Sequence, residues 1–267
     1  MVRAEVGASG PARHGDQFCD TPLAFAAVRI IGLVLDRIGE SDCEELGSGA
    51  LVQPINALTS FAYVGVGLAI ALLARRRSDH PVDSYVYAVC VAAIGLGSVA
   101  FHGPQPVGSR IMHDLPILIT VVFIAAWNLR VLVPTFRAVL PSFAIGAVLA
   151  TVLSIVSIDA GTVAIGLVLA GVAVEELLIA RRGLRPAGDA AHRYAAWAVV
   201  GVAAVAGGSW LLGRSDSPVC DPDGWFQFHG LWHVISSLIF GLWWWLAMTR
   251  RPAEAREAEP DPADSAL

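Results

Sequence analysis

Seven apolar stretches, each about the 20 residues that a helix needs to cross a bilayer, restrict what this chain can fold into. They lie at 55–74, 84–102, 114–133, 137–156, 160–180, 194–213 and 229–249. The composition agrees, because 55% of the 267 residues are hydrophobic and only 15% are charged. Soluble domains carry about 25% charged residues. The sequence therefore predicts an all-α membrane protein, a seven-transmembrane helix bundle.

Short connections between these stretches favour antiparallel neighbours in one bundle, which we expect to cover 51–250. Residues 1–50 are predicted to be an external N-terminal segment. Within it the apolar stretch 22–38 is short and is interrupted by Arg29 and Asp36, which favours an interfacial helix over an eighth span. The acidic, Ala- and Pro-rich end, 251–267, is predicted to be a disordered cytoplasmic tail.

Arginine placement predicts how the bundle is oriented. Leaving out the N-terminal segment, two arginines fall on the side of the 103–113 and 214–228 loops, and twelve fall on the opposite side. Cytoplasmic loops are enriched in basic residues, so we expect an external N-terminus and a cytoplasmic C-terminus, in the cell membrane. The Trp243–Trp245 run then predicts an aromatic belt at the cytoplasmic interface. No basic stripe with interleaved aromatics is present, which argues against a nucleic-acid partner.

Polar residues cluster at the predicted external end of the bundle. His229 and His233 lie one helical turn apart at the start of the last stretch, so their imidazoles share one face. Ser98 and His102 have the same spacing at the end of the second stretch, and Asp114 begins the third. Ionisable residues inside a bilayer usually mark a functional site. The topology brings these helix ends to one layer of the membrane.

Three imidazoles and a carboxylate are a typical donor set for catalytic zinc, which keeps three protein ligands and a water. The predicted ligands are His102, His229 and His233. Asp114 is placed to orient or deprotonate the water, and the Ser98 hydroxyl can point into the same pocket. Zinc activates water and polarises a carbonyl, so this set predicts hydrolysis of an amide or ester in the bilayer. His113 is not expected to be a ligand, because adjacent helical residues face different ways.

These motifs resemble the alkaline ceramidases, part of a superfamily of seven-span hydrolases that also includes the adiponectin receptors and Per1 proteins. The similar segments are GLGSVAFHG (95–103), HDLPILI (113–119), FHGLWHVIS (228–236) and DCEELGSGALVQPINALTSFAYVG (42–65). The resemblance implies zinc on the three histidines, Asp114 acting on the zinc-bound water, and Ser98 polarising the amide or its oxyanion. It implies release of a fatty acid from a ceramide-like membrane lipid, with the site towards the external face.

The resemblance also implies a calcium ion near the N-terminus. Its candidate ligands here are Asp42, Glu44 and Asn56. Leu46 stands where an asparagine ligand is expected, and Gln53 stands where a glutamate is expected. Hard cations want several charged oxygens, so these departures argue against calcium.

Three of the four cysteines fall on the predicted external side, where thiols can oxidise. Cys43 and Cys220 lie just outside the first and seventh stretches, and we expect a disulfide between them. Cys19 is an alternative partner for either, because sequence cannot fix connectivity. Cys90 lies inside the second stretch and is expected to be a small buried hydrophobe.

Four alternatives stay open at this stage. The same fold serves a lipid receptor with a residual zinc site, or a hydrolase of the same superfamily acting on a different lipid amide or ester. A metal-free serine hydrolase could use Ser98, His102 and Asp114 as a triad. A haem-binding electron carrier could use facing histidines. Acyl-chain length, headgroup and the choice between amide and ester depend on cavity shape, which apolar sequence does not reveal.

Overall fold

The computed structural model describes residues 39–133, 135–184 and 190–249, and within these ranges the chain folds into eight helices. They are α1 Pro54–Thr59, α2 Phe61–Arg77, α3 Pro81–His102, α4 Ser109–Leu132, α5 Val139–Val156, α6 Ile158–Arg181, α7 Ala190–Leu212 and α8 Phe228–Met248. The predicted interfacial helix at 22–38, Cys19 and the predicted tail at 251–267 lie outside the described residues. The described part is all-α, apart from isolated bridges that pair Asp42 with Arg214 and Ser78 with Thr249.

Six helical segments in the described part are long and apolar enough to cross a membrane, which indicates an integral membrane protein. They are α1 with α2 as one segment, and α3, α4, α5, α6 and α8. The stretch predicted at 194–213 forms α7, whose described apolar portion, Trp197–Leu212, is shorter than the six candidate spans. Six of the seven predicted spans are therefore supported.

Helix packing brings the two ends of the described chain together. Helices α2, α3 and α4 pack in sequence order, and α8 returns to pack against α1, α2 and α3. Helix α6 packs on α4 and α5, whereas α7 packs on α8. Gly97 allows the close approach of α3 to α4, because a Cβ there would lie 1.8 Å from the carbonyl oxygen of Met112. This approach places Ser98 and His102 next to the start of α4.

The aromatic core lies at the far end of the bundle from the predicted site. Tyr87, Phe123 and Trp127 are buried there together with Trp243 and Trp244. The prediction of an aromatic belt is wrong for these two tryptophans. The Trp244 indole donates to Ser84 Oγ at 3.0 Å and the Trp243 indole to Glu176 at 2.8 Å. Buried indole N–H groups need such acceptors, and here the bundle interior supplies them.

Residues 39–53, named here the N-terminal strap, cross the end of the bundle that carries the histidines. The predicted Cys43–Cys220 disulfide is confirmed and joins the strap to the loop between α7 and α8. The Cys43 backbone N–H also donates to the Gly213 carbonyl at 2.8 Å. Cys90 is buried and unpaired, as predicted.

Breaking the disulfide should destabilise the protein markedly, because the bond closes a sequence separation of 177 residues. We expect Cys220→Ser to lower the free energy of unfolding by about 2–5 kcal/mol, the usual effect of losing a native disulfide. Thermal unfolding in detergent measures this, and the Cys43→Ser/Cys220→Ser double variant is the matched control. A melting temperature that neither the mutation nor a reductant lowers would contradict the expectation.

Candidate metal centre

Three histidines from two helices converge at one point inside the bundle. His102 is the last residue of α3, and His229 and His233 lie on the first turns of α8. One nitrogen from each ring lies within 4.8 Å of the others, and all three side chains are buried. The ring centroids are 4.7–5.1 Å apart. The structure thus brings the three predicted ligands together, although the chain separates the first two by more than a hundred residues.

His102 has only one ring nitrogen with a partner. Its Nδ1 lies 2.7 Å from the side-chain oxygen of Gln53. That oxygen is oriented as an acceptor because the amide nitrogen of Gln53 donates to two carbonyls. Nδ1 therefore carries the proton, and Nε2 is a buried acceptor without a partner. Burying an unpaired acceptor is costly, and a metal ion at this point would remove the cost.

His233 is held in the same way by the backbone. Its Nδ1 lies 3.0 Å from the Asn56 carbonyl and 3.1 Å from Ser60 Oγ. A carbonyl oxygen can only accept, so Nδ1 is the protonated nitrogen and Nε2 is left for a metal. Metal-binding histidines characteristically donate their second N–H to a carbonyl or carboxylate, which fixes the ring orientation.

His229 faces a carboxylate. Its Nδ1 lies 3.3 Å from Asp42 Oδ1, and neither ring nitrogen makes a well-aligned hydrogen bond. Asp42 is itself paired with Arg214 at 3.3 Å. Burial raises the pKa of Asp42 to about 6, and the Arg214 guanidinium opposes part of that rise. With two unpartnered nitrogens on His229 and one on His102, the donors fit a nitrogen-ligated metal such as zinc.

Ser98 lies beside this centre, as the spacing predicted. Its Oγ is 3.4 Å from His233 Nε2 and 2.8 Å from Ser60 Oγ. Ser60 donates its own proton to the Asn56 carbonyl at 2.6 Å, so Ser98 is the donor in the serine pair. Ser60 was not among the predicted residues. Its one signal was its position within the first apolar stretch, directly before α2, and serines at such positions are common.

Asp114 is oriented towards His113 instead of directly towards the three histidines. Its Oδ1 accepts from His113 Nδ1 at 2.7 Å, and its Oδ2 accepts from Thr162 Oγ1 at 3.2 Å. The His113 ring lies 4.6 Å from the Phe101 ring and 6.0 Å from the His102 ring. His113 is not part of the group of three described histidines that could hold a metal ion. Its position beside His102 was not expected, because adjacent helical residues face different ways. The His113 ring nevertheless reaches His102 by packing on Phe101.

A cavity of about 890 Å³ begins at the histidines. Its polar lining at this end is Ser98, His113, His229 and His233. On α8 the lining extends from His229 to Leu246, roughly 25 Å at the helical rise per residue. The rest is mostly apolar, but it also includes Tyr63, Ser236 and Glu176. Glu176 accepts from Asn128 at 3.0 Å and from Trp243 at 2.8 Å.

A protein-family model described as Ceramidase matches residues 47–261, which is most of the chain. The chain belongs to the ceramidase family. The match confirms the resemblance inferred from the motifs, and it contains every predicted residue of the metal centre. No curated protein matches the chain. Membership of the ceramidase family implies an amidohydrolase with a lipid substrate.

The geometry of this ceramidase-family protein contradicts the serine-triad hypothesis. A triad needs the serine bonded to one histidine nitrogen and the acid bonded to the other. Here Ser98 contacts Ser60 and His233, and Gln53 holds the Nδ1 of His102. Asp114 holds His113 instead of His102. Ser98, His102 and Asp114 therefore do not form a nucleophilic triad.

Two of the three candidate calcium ligands, Glu44 and Asp42, are already engaged by other groups. Both carboxylate oxygens of Glu44 accept backbone N–H groups at the start of α1, from Ile55 at 2.7 Å and Asn56 at 2.8 Å. Asp42 is engaged by Arg214 and faces His229. The Asn56 side-chain amide is buried with neither polar atom hydrogen-bonded. Glu44 thus caps a helix whose first residues lack intrahelical partners.

Proposed function

We propose that this ceramidase-family protein is a zinc-dependent intramembrane amidohydrolase that releases a fatty acid from a ceramide-like N-acyl lipid. The observation that carries the proposal is the fixed orientation of His102 and His233. Each donates Nδ1–H to a defined acceptor, and each presents Nε2 to the point that they share with His229. Three nitrogen ligands leave zinc a position for water or substrate, as in other catalytic zinc sites.

Zinc at this point supplies an activated water and polarises the amide carbonyl. Ser98 supports the same step from the protein side. Its hydroxyl donates to Ser60 in the resting site and can turn to donate to the amide oxygen as negative charge develops there. A positioned donor of this kind stabilises the oxyanion more than the ground-state carbonyl.

His113 and Asp114 form the pair that transfers the proton. Asp114 accepts Nδ1–H of His113, so Nε2 of His113 is the basic nitrogen, and His113 lines the cavity. It takes a proton from the attacking water and returns it to the leaving amide nitrogen. Asp114 thus acts on the water through His113, as an orienting carboxylate does in other acid–base sites.

The cavity suits a long-chain lipid. Its lining on α8 covers roughly 25 Å, whereas the whole hydrocarbon core of a bilayer, with two layers of chains, is about 30 Å thick. One acyl chain therefore fits along it when the amide lies at the histidines. We place the centre at the external face of the cell membrane. The arginine distribution supports this orientation, and so does the Cys43–Cys220 disulfide at the same end, because disulfides persist in oxidising compartments.

A substrate panel tests the proposal on purified protein in detergent. We expect turnover of N-acyl sphingosine, with about one zinc bound per chain. N-acyl ethanolamine and monoacylglycerol serve as amide and ester comparisons. Preference for the ester would indicate a different hydrolase of the superfamily. Saturable lipid binding without turnover would indicate a receptor, and turnover by protein that contains no metal would refute the zinc proposal.

A further inference from the structure

Gln53 is fully buried at the end of the N-terminal strap, and every polar atom of its side chain is used. Its Oε1 accepts from His102 Nδ1 at 2.7 Å. Its Nε2 donates to the Gly39 carbonyl at 3.1 Å and to the Glu44 carbonyl at 2.8 Å. Its backbone N–H donates to the His102 carbonyl at 2.7 Å. One side chain therefore links two strap carbonyls to a metal ligand.

The two carbonyls determine what can occupy position 53. They are acceptors only, so the group between them must be a donor or a cation. A glutamate would place a second carboxylate oxygen against both carbonyl oxygens, and the repulsion would push it away unless a cation lay between them. Backbone carbonyls and carboxylates are the oxygen ligands that calcium takes in proteins.

We propose that the amide nitrogen of Gln53 takes the place of a calcium ion in this protein, so that the zinc centre is assembled without a second cation. Two of the other candidate ligands, Glu44 and Asp42, agree with this inference. Both oxygens of Glu44 are used on α1, and Asp42 is engaged by Arg214. A neutral amide satisfies both carbonyls and still leaves Oε1 as the acceptor that fixes His102. Gln53 is thus a positioning residue for a metal ligand.

Gly39 provides the space for this arrangement. Its φ of +90° lies in the left-handed region, and a Cβ at this position would be 2.7 Å from Gln53 Oε1. Glycine adopts this conformation without the steric penalty that other residues incur. Because the Gly39 carbonyl is one of the two that Gln53 satisfies, a side chain at position 39 should displace the amide from His102.

The test uses zinc affinity, measured by competition with a chromophoric chelator in calcium-stripped buffer and again with 1 mM calcium chloride. The inference rests on the zinc centre of the proposed function, not on the reaction. Loss of an outer partner of a metal-binding histidine typically costs about 10–100-fold in metal affinity. We expect Gln53→Glu to lose zinc affinity by this factor in calcium-stripped buffer, and to regain it when calcium is added. Gln53→Leu is the matched control. It should also lose zinc affinity, and added calcium should not restore it.

Wild-type protein should retain its zinc affinity and melting temperature in calcium-stripped buffer. A wild-type protein that needs calcium for either would overturn the inference. So would a Gln53→Glu variant that binds zinc normally without calcium, or one whose weakened binding calcium does not restore. If that variant does not fold, the wild-type measurement still decides, and Gly39→Ala should weaken zinc binding irrespective of calcium. Absence of lipid turnover with these zinc results intact would refute the proposed reaction alone.

Discussion

Replacing His233 with alanine should remove zinc from the purified protein and reduce hydrolysis of N-acyl sphingosine to background. The reason is the geometry of the centre, where the three ligand nitrogens lie within 4.8 Å of one another and no fourth histidine belongs to the group among the described residues. Two remaining imidazoles do not complete the three-ligand set of a catalytic zinc site. His102→Ala and His229→Ala should behave in the same way. Metal analysis and a turnover assay on the same sample measure both effects.

The control for this prediction is His80→Ala. His80 lies before α3 and contacts Arg130 at 3.0 Å, away from the three ligands. Burial and the Arg130 charge lower the pKa of His80. Its loss should leave zinc content and turnover unchanged. Full activity in His233→Ala, with zinc absent, would contradict the assignment of the centre as catalytic.

The second large effect should come from the proton-transfer pair. Asp114→Asn and His113→Gln should each lower kcat by about 10²–10⁴-fold, the usual contribution of a positioned acid–base group. Both should retain zinc, because neither residue belongs to the group of three histidines. Single-turnover kinetics with metal analysis separate this effect from loss of the metal. The double variant should be no slower than the slower single variant, because the two residues act as one unit.

Thr162→Val is the matched control for the pair, since it removes the other hydrogen bond of Asp114 and leaves the His113 contact in place. We expect it to lower kcat less than tenfold. If His113→Gln kept full activity while Asp114→Asn lost it, Asp114 would have to reach the water directly, and the role of His113 would be wrong.

The sequence was sufficient to predict which histidines lie together in the bundle. The four-residue spacing of Ser98 with His102, and of His229 with His233, places each pair on one helix face, and the apolar runs place the pairs at one end of the bundle. Cys43 and Cys220 followed from the same reasoning. These placements were predictable because helical periodicity and membrane thickness relate sequence position to location in the bundle.

The residues that hydrogen-bond to the histidines could not be predicted from helical spacing. Gln53 and Ser60 act through contacts with residues 49 and 173 positions away, and no local pattern encodes contacts of that kind. His113 was set aside by a rule about neighbouring helical residues, which does not include the packing of its ring on Phe101. Trp243 and Trp244 were predicted to lie at an interface. Their burial could not be foreseen because the acceptors of their indole N–H groups, Glu176 and Ser84, lie on other helices.

The division of the ligands along the chain has a consequence for biosynthesis. Gln53, Ser98 and His102 are made early, whereas His229 and His233 come from the last helix of the described chain. A ribosome-bound chain that has not yet released α8 holds one of the three histidines and cannot complete the proposed metal centre. Because metal binding is coupled to folding in sites of this type, the proposed metal centre can form only when the final helix has packed.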